Sequence, residues 1–123
     1  MSENIIEYHG SCHCGSVKFS FNSTEIKEGL KCNCSICLKK NGTMSIDAFS
    51  PDELKLEITN DALATYEFGS GVAKHHFCKH CGIYPFHQTK RQPGYYRVNL
   101  NCVDSVNTNE LVLSVFDGAS LEF

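Results

Sequence analysis

Cysteine occupies eight of the 123 positions, and seven of the eight fall in three tight clusters: CHC at 12–14, CNCSIC at 32–37 and CKHC at 78–81. Close cysteine pairs gathered from distant segments are the way chains build zinc sites. Eight cysteines could instead make four disulfides. The opening MSENIIEYHG, however, lacks the basic and apolar regions of an export signal. The chain is therefore expected in the cytoplasm, where thiols stay reduced.

Two of the clusters share a signature. In CHCG and CKHCG a glycine directly follows the last cysteine, where a positive φ lets the backbone turn and carry its N–H toward a sulfur. Cys12, Cys14, Cys78 and Cys81 are read as one closed four-cysteine site. Residues i and i+2 of an extended segment face the same side, so Cys12 and Cys14 can reach one ion. His13, between them, should point away.

CNCSIC is different. Cys32 and Cys34 can converge from a strand end and Cys37 from a first helical turn, which gives three thiolates and leaves a fourth position unassigned. Closed four-ligand sites are structural, whereas three protein ligands and an exchangeable fourth is the catalytic arrangement. The alternative is that Cys102 or a histidine closes this site. Cys102, in VNLNCVD, fits a small buried apolar role better than a ligand role. His75, His76 and His80 lie on or near the CKHC arm and are assigned to the strand surface or to support of the ligands.

The elements that must position these residues are mostly strands. SVKFSF alternates Val17, Phe19 and Phe21 with polar neighbours, as a half-buried strand does. TMSIDAF, ELKLEIT, ATYEF, AKHHF and YYRVNL read similarly. Turn residues separate them, and ATYEF-GSG-VAKHHF is the best hairpin candidate. Only SICLKKNG reads as helical, with Ser35 as cap and Gly42 as end. The expectation is a mainly β chain of antiparallel sheets with one short helix, forming a single zinc-binding domain over 1–123.

A charge of −3, from 14 acidic and 11 basic residues, gives no footprint for nucleic acid. No run approaches the 18 or so apolar residues of a membrane helix.

GSCHCGSVKF, CNCSICLKKNG, FCKHCGIYPF and YYRVNLNCVD together resemble the glutathione-dependent formaldehyde-activating enzymes, a family that includes centromere protein V. The resemblance covers a motif-bearing core of about residues 10–104. It implies a zinc-pinned β-tent with two zinc ions per chain. Cys12, Cys14, Cys78 and Cys81 would hold the structural ion, and Cys32, Cys34 and Cys37 the catalytic one. It also implies a carbon–sulfur lyase that adds a small thiol such as glutathione to an aldehyde such as formaldehyde. The rival expectation is a non-catalytic zinc module that binds a protein partner. Candidates for proton transfer or carbonyl orientation are His76, His87, Tyr84 and Asp47. The chain is shorter than the glutathione-using members, and it carries Leu38 where Arg or Gln is common and Ile83 where Thr or Ser is common. These departures touch the substrate side and leave the metal positions matched.

Overall fold

Alternation in IEYHGS and VKFSFNS produces the first sheet, β1 (Ile6–Ser11) paired antiparallel with β2 (Val17–Ser23), which pairs in turn with β4 (Lys55–Ile58). The structure is a computed structural model and describes residues 4–120. Val17, Phe19 and Phe21 are buried as expected, and Phe21 packs on Phe49 with ring centroids 4.7 Å apart. Tyr8, Phe86, Val98 and Leu100 complete this core, which also takes in Cys12 and Cys78.

A second, four-stranded antiparallel sheet runs β5 (Leu63–Tyr66), β6 (Lys74–Cys78), β7 (Phe86–Gln88) and β8 (Tyr96–Val98). The β5–β6 hairpin is the one expected. Tyr66 pairs with His75, and Gly69 and Gly71 take φ of 60° and 73° in the link. The expected mainly β architecture with antiparallel sheets and one helix is present.

One pair departs from the antiparallel pattern. β3 (Glu28–Cys32) lies parallel to β9 (Val112–Phe116), with Cys32 opposite Phe116. A parallel pair needs a long crossover, and most of the chain intervenes here. β9 lies beyond the 10–104 core that the motifs mark out.

TMSIDAF does not form a strand. Met44 and Phe49 make only isolated bridges, to Leu30 and Asn99 and to Tyr96. Between them the carbonyls of Ser45 and Ile46 accept from Arg97 Nη1 at 3.0 and 2.6 Å, so a side chain replaces the ladder. The helix is α1 (Ser35–Lys40), but its caps are shifted from the expected ones. Cys34 occupies the N-cap, because its sulfur is turned toward the cluster, and Asn41 ends the helix at φ 53°. Among the described residues, no helix is long and apolar enough to cross a membrane.

β1 runs close against the turn at Leu100–Cys102. A Cβ on Gly10 would overlap the Phe19 ring and lie 2.7 Å from the Cys102 carbonyl oxygen. We predict that Gly10→Ala destabilises the protein by about 1–3 kcal/mol, the cost of overpacking a filled site. Thermal unfolding at unchanged metal content measures it.

Candidate functional site

Cys12 and Cys14 follow the end of β1, while Cys78 ends β6 and Cys81 lies in the turn before β7. The two turns are built alike. Cys12 N–H bonds the Val17 carbonyl and Gly15 N–H the Cys12 carbonyl. In the second turn, Cys78 N–H bonds the Ile83 carbonyl and Gly82 N–H the Cys78 carbonyl. Gly15 and Gly82 take φ of 81° and 78°, the left-handed region that glycine alone enters without strain. The N–H groups that reach sulfur come from neighbouring residues rather than from the glycines. Val17 N–H lies 3.3 Å from Cys12 Sγ.

The four sulfurs of Cys12, Cys14, Cys78 and Cys81 all lie within 4.8 Å of one another. Cys14 Sγ is 3.7 Å from Cys12 Sγ and 3.6 Å from Cys78 Sγ. A tetrahedral ion with metal–sulfur bonds of about 2.3 Å sets its ligands roughly 3.8 Å apart, so the donor set fits. The surroundings favour thiolates at two positions. The Ser16 hydroxyl and N–H hold the Cys14 thiol below its ordinary value. At Cys81, burial pushes the thiol up, but the backbone N–H groups of Cys14 and Ile83 outweigh it and bring it down to about 6. Cys78, fully buried, is pushed up to about 11 by desolvation. His13 is exposed and does not join the four sulfurs.

Cys32, Cys34 and Cys37 also lie within 4.8 Å of one another. Cys32 ends β3, Cys34 caps α1, and Cys37 sits three residues later on the same helix face. Burial raises the Cys34 thiol, yet the N–H groups of Cys37 and Ile36 lower it overall, as the open end of a helix does for an anion. Among the described residues, no fourth cysteine, histidine or carboxylate joins this cluster. Cys102 stands apart, with its Sγ 3.8 Å from the Tyr84 carbonyl and its thiol raised to about 11 by burial.

Cys32, Cys34 and Cys37 line a small pocket of about 50 Å³ that opens to solvent. Its apolar wall includes Leu30, Ile36, Met44, Phe68 and Phe116, and Lys90, Arg91 and Arg97 add positive charge. No carboxylate among the described residues lines it. Cys32 and Cys37 also border a cavity of only about 10 Å³ with Lys40 and Tyr84. Lys40 Nζ lies 3.4 Å from the centre of the Tyr84 ring and 2.7 Å from His75 Nδ1. Burial lowers its ammonium to about 8, against the pull of the nearby thiolates.

The structure brings His87 and Tyr84 to this region, bonded to each other through the Tyr84 hydroxyl and His87 Nδ1. Burial keeps the phenol protonated and the imidazole neutral. His76 and Asp47 do not reach the pocket. His76 sits on the opposite face of β6, with Nδ1 on Thr65 at 2.8 Å and Nε2 on Gln88 at 3.0 Å. His75 takes the place expected of His76, because it shares a face with Ala73 and pairs with His87.

The His75 ring is 6% exposed, and its Nε2 is buried without a hydrogen-bond partner. Leaving such a group unpaired costs about 1–3 kcal/mol. Burial, then the nearby Lys40, pushes its pKa down to about 4, so the ring is neutral near pH 7. Sequence alone singled out neither Lys40 nor His75 for the pocket; the spacing of Lys40 three positions after Cys37 was the available signal for the first, and only the pairing of β6 with β7 separates the second from His76. Gly118 carried no signal. A Cβ there would lie 2.5 Å from Cys32 Sγ and 3.0 Å from Cys34 Cβ. Leu38 and Ile83, the substituted positions, are both exposed and line neither cavity.

A model of the glutathione-dependent formaldehyde-activating enzyme family matches residues 7–117. Among solved structures, the crystal structure of a Rhodobacter sphaeroides protein is similar at a TM-score of 0.72 and 30% identity. The match covers 86% of this chain and 99% of that one.

The two clusters should respond differently to mutation. Cys12→Ala or Cys78→Ala should cost most of the fold, because the four-sulfur set joins segments far apart in sequence. Cys34→Ser and Gly118→Ala should each leave a folded protein with about one metal ion fewer of two. Elemental analysis and melting curves measure both, and equal loss of melting temperature in the two classes would contradict the division.

Proposed function

Because the chain belongs to the glutathione-dependent formaldehyde-activating enzyme family, we propose that it joins a small thiol such as glutathione to a small aldehyde such as formaldehyde. The product is an S-hydroxymethyl adduct, the reaction is reversible, and the enzyme is of the carbon–sulfur lyase type. The observation that carries this reading is the cluster that stops at three sulfurs beside a pocket lined by cations.

Two zinc ions per chain suit the two sulfur sets. Cys12, Cys14, Cys78 and Cys81 form a closed structural site, and Cys32, Cys34 and Cys37 form one with a vertex free. Zinc at the second site would hold an incoming thiol as its thiolate and so supply a nucleophile at neutral pH.

The chain's own residues supply the rest. Arg91, Arg97 and Lys40 give the region a positive potential that favours an entering anion and the loss of the thiol proton to solvent. Phe68, Phe116 and Ile36 exclude water from the reacting carbon. The Tyr84–His87 pair fixes one wall, with the phenol as donor and the imidazole as acceptor. All eight cysteines are free thiols. The open cluster needs a reducing compartment to remain so, which fits the cytoplasm.

Cobalt in place of zinc makes thiol entry visible. Adding glutathione should strengthen the thiolate-to-metal charge-transfer absorption, Cys34→Ser should blunt the response, and Cys102→Ala should keep it. Formaldehyde should then be consumed faster than by free glutathione at the same pH. No spectral change with any small thiol would reject the open site and leave a structural zinc module whose role is to bind a partner.

A further inference from the structure

His75 has no part in the chemistry described so far, yet it stands beside it. It lines the same pocket as Cys32, Cys34 and Cys37, and its Nε2 is buried with no hydrogen-bond partner among the described residues. The tautomer follows from Lys40. An ammonium offers three donors and no acceptor, so Lys40 Nζ at 2.7 Å makes Nδ1 the acceptor and leaves the ring proton on Nε2. An N–H donor is therefore left buried and unmatched on a residue that lines the pocket.

Its neighbours hold it in place. The ring stacks on Phe68 with centroids 5.7 Å apart and meets the edge of His87 at the same distance. β6 is an inner strand, bonded to β5 on one side and β7 on the other. A donor fixed in this way does not reorganise when charge develops near it. Among the described residues, the pocket's charged side chains apart from the cysteines are Lys90, Arg91 and Arg97, which favour an entering negative charge.

We propose that the Nε2–H of His75 receives the aldehyde oxygen and stabilises the negative charge that forms on it as the thiolate adds. The inference rests on the thiol–aldehyde reading above. In the step, a sulfur lone pair forms the C–S bond and the C=O π pair moves onto oxygen. The alkoxide takes a hydrogen bond from Nε2–H and then a proton from solvent, which replaces the one lost when the thiol ionised. His75 keeps its own proton, and the sum is thiol plus aldehyde giving the hydroxyalkyl thioether.

Two substitutions separate donor from support. His75→Asn keeps an acceptor near Lys40 and loses the distal donor, whereas His75→Gln restores a donor close to the Nε2 position. His75→Asn should lower adduct formation at saturating thiol by about 10²–10³-fold, the usual effect of removing an oxyanion donor. Its metal content and cobalt response to glutathione should be unchanged, and His75→Gln should recover much of the rate. Independently, the Nε2–H proton resonance of the wild-type zinc protein should move downfield on titration with formate, which offers an anionic oxygen on one carbon. A His75→Asn rate equal to wild type, or an Nε2–H resonance unmoved by formate, overturns the proposal. If the wild-type protein accelerates no adduct formation, the thiol–aldehyde reading fails, and the formate titration alone decides whether His75 holds an oxygen.

Discussion

Four sulfur atoms from two distant turns converge to within 4.8 Å, and the placement of nearly everything else follows from that meeting. Cys12 and Cys14 leave the β1–β2 hairpin, and Cys78 and Cys81 leave the β6–β7 hairpin, so the cluster joins the two larger sheets. Thiolates gathered this closely repel one another unless a cation lies between them. The conflict is visible in the site itself, where desolvation holds the Cys78 thiol up at about 11 while N–H donors bring Cys81 down to about 6. A bound cation would resolve it, and its free energy of binding would become free energy of folding.

The same junction sets the register of the pocket. Cys78 ends β6, and His75 lies three residues earlier on that strand. Pinning the strand at its end fixes which face His75 presents, because a slip of one residue would exchange it for His76. On the opposite wall, β9 lies along β3, and the turn after it packs against the three-cysteine cluster. Asn33 N–H bonds the Phe116 carbonyl, and Asn33 Oδ1 accepts from Ala119 N–H at 2.8 Å. Gly118 passes where a side chain would strike Cys32. The open cluster is thus buttressed by a segment outside the residues that carry the cysteine motifs.

The cysteines and their grouping were legible because ligand chemistry restricts type and spacing so strongly that a single sequence exposes it. The strands that alternate, and the hairpin with its two positive-φ glycines, were legible for a similar local reason. TMSIDAF alternates as a strand does, but its carbonyls are taken by Arg97, a contact spanning some fifty residues that no local pattern encodes. The caps of α1 were missed because Cys34 serves the cluster and the helix end together, where Ser35 looked the better local cap. His75 and His76 are adjacent, and choosing between them required the pairing of β6 with β7.

That choice bears on how labour divides in the site. Three thiolates would make an electron-rich metal whose Lewis acidity is moderated, so on the proposed reading sulfur capture is the task the cluster suits best. On the same reading the charge on oxygen would then fall to the protein to balance, and a donor already fixed in place costs no reorganisation as that charge forms. Lys40 would serve that end through the imidazole, since its ammonium bonds Nδ1 of His75 and leaves the ring proton on Nε2. It stands close enough to Cys37 to feel the thiolates as well. One cation on the last turn of a six-residue helix thereby couples the sulfur side of the pocket to its oxygen side.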